Sequence, residues 1–331
     1  MFRLSYSLTL LLLTVLCTCV LAQNPLDVFR FDHDGETVDM PTLMERSNTP
    51  AVSMAVDNGE MDSAFVAFTE EATPISTSTI FPVGAGSALP VCVAILQLVE
   101  RGEISLDDPI NSLLGDTPLA NGDKRTVRDA LHLKLRMGSE YKPAGFAAGE
   151  ARPSLADVSR KFRFRSNRPV SKGTEYGGWV FLQLLLEQHY QAPLNEIIQR
   201  QVFKPLCLEQ SFYTSELSPE QEQLAAMGHD KAGKMLPGGY RRYVALADAG
   251  LWTTASDYAR LTRALLNVMA GEEGGVLRPE TVKMALADRY GHRSLLFHLS
   301  DSGLPYWGGN AKGYYFTMQA HPAENWVSVV M

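Results

Sequence analysis

The sequence predicts an α+β protein whose antiparallel sheet is formed from both chain ends and packed by helices. Short apolar stretches with strand-like patterning occur near the N-terminus, within residues 51–68, and again within residues 314–331. The region between them, from about residue 107 to 240, is richer in helix formers and charge. Strands at both ends with helices between favour one sheet that unites the two termini.

The composition is that of a globular protein. Of 331 residues, 45% are hydrophobic and 20% charged, which argues against disorder, a coiled coil or a collagen-like fibre. The formal net charge is −7, and the densest basic segments are only residues 160–165 and Arg241-Arg242. We therefore expect no nucleic-acid partner.

The first two dozen residues are typical of a secretory signal. Arg3 supplies a positive charge, residues 8–21 are almost wholly apolar, and Ala22 offers a small residue for cleavage. We predict a secreted or periplasmic protein without a membrane span after signal removal. An uncleaved anchor is the alternative.

The N-terminal strands are predicted on either side of a tight turn. Ala51–Val56 and Ala64–Phe68 are short apolar runs, and Asp57-Asn58-Gly59 follows the first of them. Asn-Gly is a strong hairpin signal because both residues tolerate positive φ.

A buried helix is predicted next, over Val91–Glu100, because this run is almost wholly apolar. Gly102 provides its C-terminal cap. Cys92 lies within the run, so a buried free thiol is expected there. Pairing with Cys207 in an oxidising compartment is the alternative.

The helical middle region contains two further segments with apolar residues at helical spacing, Trp179–Tyr190 and Leu194–Phe203. Beyond it, Thr254 or Ser256 is expected to cap a helix that runs through Tyr258–Met269.

The C-terminal tail predicts strands. Tyr314–Met331 alternates on both sides of a break at residues 321–325.

Common catalytic signatures are absent from the sequence. It has no Gly-x-Ser-x-Gly elbow, no His-Glu-x-x-His and no Walker loop. Residues 84–86 lack the third glycine of a dinucleotide-binding fingerprint. The seven histidines are scattered, so we expect neither a metal site nor a cofactor.

Several segments together resemble the serine β-lactamase-related family, which includes class C β-lactamases, penicillin-binding peptidases and β-lactamase-like esterases. They are Phe81-Pro82-Val83-Gly84, residues 98–110, 126–131, 250–257 and 277–282, and Trp307-Gly308-Gly309 with the tail that follows. The resemblance runs from about Thr49 to the C-terminus and implies a β-lactamase/transpeptidase-like fold.

The resemblance also sets the expected domain organisation. We predict a signal peptide at 1–22, an N-terminal segment at 23–48 and a β-lactamase-related domain at 49–331. Because members of the family continue past the matching strand, the C-terminal end is expected to be truncated.

The catalytic pair that the resemblance implies is missing. The family carries Ser-x-x-Lys after Phe-x-x-Gly, with a serine nucleophile and a lysine base one helical turn on. The matching positions here are Ala85 and Ala88. Ser87 lies two residues along, and its own i+3 residue is Pro90. We interpret Ser87 as a capping or packing residue.

Other family elements are partly kept. Tyr176 matches the relay tyrosine of Tyr-x-Asn, without the amide, and is expected to be a neutral hydrogen-bond donor. Residues 133–137 depart from the family's turn. Trp307-Gly308-Gly309 departs least from the motif that the family carries on the strand bordering its site. Its glycines would let the strand backbone approach a ligand. The implied oxyanion hole uses backbone N–H groups, which Ala85 still provides.

The leading hypothesis is a catalytically inactive member that binds a carbonyl-bearing or peptidoglycan-like ligand, or a partner protein. Its expected ligand-binding residues are Ala85, Tyr176, Trp307, Gly308 and Gly309. One alternative is an active esterase, D-Ala-D-Ala peptidase or β-lactamase with an unrecognised nucleophile. A decaying gene product without a role is another.

Overall fold

One eight-stranded antiparallel sheet joins the two ends of the chain, which confirms the predicted fold class. The computed structural model describes residues 30–33, 35–59, 62–69, 73–115, 119, 122–135, 145–160 and 177–331. The strand order is β4-β3-β13-β12-β11-β10-β9-β8. These strands are β3 (Ala51–Asp57), β4 (Asp62–Phe68), β8 (Arg289–Tyr290), β9 (Arg293–Ser294), β10 (His298–Leu299), β11 (Pro305–Ala311), β12 (Tyr314–His321) and β13 (Trp326–Val330).

The C-terminal strand β13 is internal to this sheet. It pairs with β12 on one side and with the N-terminal β3 on the other, where Val329 lies opposite Ala55. The predicted N-terminal strands are confirmed as β3 and β4, which pair along their whole length. Strand alternation places Val327 and Val329 in the core.

Two smaller sheets complete the strand inventory of the described residues. A two-stranded hairpin of β1 (Phe31–His33) and β2 (Glu36–Val38) precedes the main sheet. A three-stranded sheet of β5 (Phe81–Pro82), β7 (Leu251–Thr253) and β6 (Phe212–Tyr213) has β7 in its centre. Because β5 runs directly into the buried helix, this sheet fixes where that helix starts.

Eleven α-helices occur in the described part of the chain. They are α1 (Met40–Arg46), α2 (Ala88–Glu100), α3 (Ile110–Leu113), α4 (Val127–Leu131), α5 (Leu155–Arg160), α6 (Gly177–Tyr190), α7 (Leu194–Ile198), α8 (Pro219–Glu222), α9 (Leu246–Ala249), α10 (Ala255–Met269) and α11 (Pro279–Ala287). None of the described helices is long and apolar enough to cross a membrane.

Helix α2 is the predicted buried helix, one turn longer than expected at its N-terminal end. Its first eleven residues are all buried, and it ends before Gly102, whose φ of 71° suits a glycine cap. Cys92 is a buried free thiol and Cys207 an exposed one. Burial raises the pKa of Cys92 to about 11.

Helix α10 covers one face of the main sheet, against β3 and β13. Of the two caps left open by the sequence, Thr254 is the N-cap, and its hydroxyl accepts the N–H of Asp257 at 3.1 Å.

The predicted helix over Leu194–Phe203 differs in its second half. It is α-helical only through Ile198 and then widens into a π-helical turn, in which the Lys204 N–H bonds to the Gln199 carbonyl. The wider turn accompanies burial of Phe203, which stacks on Tyr213 at 6.0 Å between ring centroids.

Candidate functional site

A cavity of about 340 Å³ lies where the chain entering α2 meets strand β11. The helical side contributes Ala85, Asp248 and Ala249, and β11 contributes Gly308, Gly309 and Asn310. Tyr243 and Tyr315 complete the lining. The volume lies within the usual range for small-molecule sites.

The floor of the cavity is a close approach between two backbone segments. Residues 84–87 form a 3₁₀ turn that leads into α2. A Cβ atom placed on Gly309 would lie 2.3 Å from the Val83 oxygen and 2.8 Å from the Ala85 nitrogen. Gly84 has a φ of 51°, and its own added Cβ would lie 2.8 Å from the carbonyl carbon of Asn310. Glycine is therefore required on both sides of this contact.

Gly308 differs from its neighbour Gly309. It is exposed, and a Cβ added to it would meet only the Phe316 oxygen, at 3.9 Å. The two glycines thus serve different purposes: Gly309 lets β11 touch the turn, and Gly308 leaves space at the cavity wall.

The positions expected for nucleophile and base are both alanine at the start of α2. Ala85 is half-buried and lines the cavity, whereas Ala88 is fully buried inside the helix packing. Neither side chain offers a hydroxyl or an amine. The location of Ala85 is nevertheless that of a residue that can touch a bound ligand.

Ser87 does not offer a hydroxyl to the cavity. It is completely buried, and its hydroxyl accepts the N–H of Leu251 in β7 at 3.0 Å. Its carbonyl accepts the hydroxyl of Tyr213. Of the two roles expected for Ser87, capping or packing, the structure shows packing, because the hydroxyl makes no cap bond and the side chain is buried. Ser87 instead joins the start of α2 to the small sheet.

Trp307 points away from the cavity. Strand alternation places it on the opposite face of β11 from Gly308, where it is 1% exposed and its Nε1 donates to the Leu296 carbonyl at 3.1 Å. It is not among the described residues that line the cavity. Its indole packs behind the cavity, and the expectation that Trp307 contacts a ligand stays a prediction.

Tyr176 lies outside the described residues. So do Arg136 and Met137, the last two residues of the segment 133–137 that differs from the family's turn. The contribution of Tyr176 to ligand binding stays a prediction. The helix that follows begins at Gly177, and Gly178 packs so closely on the Ala130 carbonyl that an added Cβ would lie 2.5 Å from its oxygen.

The sequence reasoning missed five residues of the lining: Tyr243, Asp248, Ala249, Asn310 and Tyr315. Tyr243 is buried, and its hydroxyl accepts the Lys312 N–H at 3.1 Å. Asp248 is 3% exposed and lies in α9, while Tyr315 is 63% exposed. Asp248 lies two residues before the segment 250–257, and Tyr315 lies within the C-terminal tail. Both segments carried the family resemblance, which is the signal that could have found these residues.

Two histidines lie outside the cavity: His298, which is half-buried in β10, and His132, which is buried. The guanidinium Nη1 of Arg293 donates to Nε2 of His298 at 2.7 Å, and Arg293 packs on the Trp307 ring at 4.9 Å from its centroid. Burial, with Arg293 nearby, lowers the pKa of His298 to about 3. Burial, with Lys134 and Arg293 nearby, lowers the pKa of His132 to about 4. Neither lines the cavity, so both are neutral structural groups at neutral pH.

A larger cleft of about 660 Å³ shares no lining residue with this cavity. Its walls include Asp107, Asp288 and Arg128. The Arg128 guanidinium bonds to both oxygens of Asp107 at 2.9 Å and also pairs with Asp288, so one cation is shared by two carboxylates. Among the described residues, no group of His, Cys, Asp and Glu could hold a metal ion.

Comparison with known proteins identifies two curated relatives that align with most of this chain. Two curated proteins of Mycobacterium tuberculosis, the uncharacterized protein MT1414 and protein Rv1367c, are each 29% identical to this chain over 289 residues. The alignment covers 76% of this chain and 69% of each relative.

The structure is similar to that of the octameric penicillin-binding protein homologue from Pyrococcus abyssi. The TM-score is 0.68 at 19% identity, and the match covers 88% of this chain and 71% of that one. This likeness establishes the shared fold. The sequence profile of the β-lactamase family matches residues 40–331, and the chain therefore belongs to the β-lactamase family.

Proposed function

We propose that this protein is a secreted, catalytically inactive member of the β-lactamase family that binds a carbonyl-bearing or peptide-like ligand. One observation carries the proposal. The cavity is retained at the start of α2, yet the residue that faces it there is Ala85, and Ala88 follows one turn later. The shape of a site remains while its nucleophile and base are both gone.

The loss of reaction rate expected without the nucleophile and the base is large enough to favour binding over catalysis. In a serine protease, deleting the nucleophile or the base costs about a millionfold in kcat, and roughly a thousandfold over water remains. Ser87 offers no replacement, since its hydroxyl is buried against the Leu251 N–H. The hydroxyls on the described lining belong to Tyr243 and Tyr315, both of them phenols.

The binding half of the proposal is supported by the backbone. The first N–H groups of a helix lack acceptors within it, and Ala85 lies in that first turn. The N-terminal end of a helix also carries a partial positive charge. A carbonyl oxygen in the cavity therefore has a preformed donor in the Ala85 N–H, which the loss of a side chain does not remove.

The proposal is tested by intact mass of the secreted chain, which we expect to start at Gln23. It is incubated with a penicillin and with a serine-directed phosphonate, beside an Ala85→Ser, Ala88→Lys double variant. We expect the native chain to stay unmodified and the double variant to gain one adduct. An adduct on the native chain within the cavity would overturn inactivity and identify the nucleophile of an active hydrolase.

Because Ala88 is fully buried, lysine there can prevent folding, so a second measurement keeps the test decisive. Ala85→Cys and Ser87→Cys are compared in a Cys207→Gly background, where glycine suits the φ of 53° at that exposed position. A thiol reagent should modify position 85 quickly and position 87 only on unfolding. Equal protection of both would contradict an open cavity at Ala85.

A further inference from the structure

We propose, on the basis of the function proposed above, that Arg241 is a binding residue of this site and that the ligand carries an anionic oxygen group, a carboxylate or a phosphate. The guanidinium of Arg241 would hold that group beside Tyr243, while the Ala85 N–H takes the carbonyl oxygen. This adds an anion-binding subsite to the cavity and assigns a charge to its ligand.

The two arginines of the basic segment Arg241-Arg242 have different surroundings. Arg242 is buried, donates from Nε to Glu216 Oε1 at 2.9 Å, and lies over the Tyr240 ring at 4.4 Å from its centroid. Arg241 is half-buried, and its Nε is buried without a hydrogen-bond partner. In the part of the chain that the structure describes, no carboxylate pairs with Arg241. Arg242 therefore has a structural role that Arg241 lacks.

The unpaired Nε of Arg241 favours a ligand-binding role. A buried polar atom without a hydrogen-bond partner lowers the stability of a fold, and the cost is larger when its group is charged. Arginine stays protonated in proteins, so Arg241 cannot avoid this cost by losing its charge. A bound anion supplies the missing acceptor, because the planar guanidinium matches two oxygens of a carboxylate or a phosphate.

Arg241 lies directly beside the cavity lining. A Cβ atom added to Gly145 would lie 3.0 Å from the Cβ of Arg241 and 3.0 Å from the Cε1 of Tyr243, so these two side chains approach the same point. Gly145 has a φ of 67°, and its lack of a side chain allows this approach. Tyr243 lines the cavity. A ligand that contacts the Tyr243 ring is therefore within reach of the Arg241 side chain.

A second cation lies at the same tyrosine. The backbone N–H of Lys312 donates to the Tyr243 hydroxyl at 3.1 Å, and Lys312 is exposed, without an ion pair to any described residue. Asp248, the acidic residue of the described lining, makes other contacts in the protein. Arg241 and Lys312 outnumber this acid around Tyr243, which favours an anionic group there.

The experiment compares three small esters on the mature chain by ligand-observed NMR titration. Dimethyl succinate is the neutral probe, monomethyl succinate carries a carboxylate, and methyl 3-phosphonopropanoate carries a phosphonate in its place. We expect at least one anionic ester to bind about tenfold or more tightly than the neutral ester. The tighter of the two identifies the anion that the subsite accepts.

Variants assign that preference to Arg241. Arg241→Met keeps a long side chain without its charge, so the ratio of anionic to neutral affinity should fall close to one. Because this change removes an unpaired buried donor, the urea midpoint of the free protein should stay the same or rise. Arg242→Met, at the paired neighbour, is the matched control, and it should lower the urea midpoint and leave the ratio unchanged. Lys312→Met, at an exposed cation, should lower the ratio less than Arg241→Met.

The outcomes separate this inference from the function on which it rests. If Arg241→Met keeps the anion preference, or lowers the urea midpoint as much as Arg242→Met, Arg241 is a structural residue and the subsite is wrong. Ala85→Leu, which fills the cavity, should abolish binding of all three esters. If the neutral ester binds in an Ala85-dependent way as tightly as both anionic esters, the subsite is wrong and the binding function stands. If no ester binds, or Ala85→Leu leaves binding unchanged, both proposals fail.

Discussion

Two regions at opposite ends of the main sheet hold the fold in different ways. At one end, which we call the arginine latch, the side chains of Arg263, Asp57 and Asn325 join helix α10 to the hairpin tips. At the other, the cavity floor, the contacts are between backbone atoms of residues 83–86 and Gly309. The difference means that the fold at the cavity floor depends on backbone contacts and not on the side chains of Ala85 and Ala88.

The arginine latch is a hydrogen-bonded network in which Arg263 and Asp57 are buried and Asn325 is exposed. Arg263 donates from Nε to Asp57 Oδ1 at 2.9 Å, from Nη1 to Asn325 Oδ1 at 2.6 Å, and from Nη2 to the backbone carbonyls of both. Asn325 adopts a φ of 52°, which asparagine tolerates better than most residues, and its amide donates to the Asn58 carbonyl. Each group depends on the others for its partners.

The largest expected effect follows from breaking this latch. Arg263→Ala leaves the Asp57 carboxylate buried without its guanidinium, so we expect unfolding free energy to fall by about 3–5 kcal/mol. Urea unfolding of the mature chain measures it. Arg260→Ala, on the same helix, removes an exposed guanidinium 3.6 Å from the buried Asp257, whose carboxylate keeps its bonds from the Gln210 N–H and the Ser211 hydroxyl. It should cost less than about 1 kcal/mol. Equal losses would show that the latch has no special role.

At the cavity floor the most informative substitution adds only a single methyl group. Gly309→Ala introduces a methyl group 2.3 Å from the Val83 oxygen, and because both neighbours are backbone, the strand must move. We expect a loss of about 2–3 kcal/mol in unfolding free energy. Gly308→Ala, whose nearest contact is 3.9 Å away, should stay within about 0.5 kcal/mol. A similar loss from both alanines would contradict the close approach.

The contrast also shows what sequence could and could not predict. Apolar runs such as Val91–Glu100 predicted the buried helix, because burial of a whole segment leaves a local pattern. The direction of Trp307 was not predicted, since it depends on strand register, which places Gly308 on the other face. Asp248 was missed because its significance comes from the approach of α9 to the turn at Ala85, a contact between residues far apart in the chain.

The core behind the cavity predicts a pH effect. His298 has a folded-state pKa of about 3, against an ordinary value near 6.5 that the unfolded chain should show. Between these values the unfolded chain binds the extra proton, so stability is full above pH 6.5 and falls as the pH drops toward 3. From pH 6.5 to 5 this one group should cost about 2 kcal/mol.

His298→Gln tests this effect, because its amide oxygen can still accept from Arg293 while the titrating ring is gone. We expect the variant to lose less stability than the native chain over the same pH interval. Urea midpoints at pH 7, 6 and 5 measure the difference. An unaltered slope in His298→Gln would contradict a buried neutral imidazole.

The smallest expected effect on stability concerns the residue just before α2. There the Ser87 hydroxyl bonds to strand β7 of the small sheet. Ser87→Ala removes the acceptor of the Leu251 N–H, a buried donor, and should cost about 1–2 kcal/mol in unfolding free energy. Ala85→Ser, two residues away at the cavity, adds a hydroxyl that ligand space can accommodate and should stay within about 0.5 kcal/mol. Thermal melts of both variants beside the native chain measure these changes in stability. If Ser87→Ala leaves stability unchanged and Ala85→Ser lowers it, position 85 is the packed one. Ser87 would then be the residue whose side chain faces the cavity.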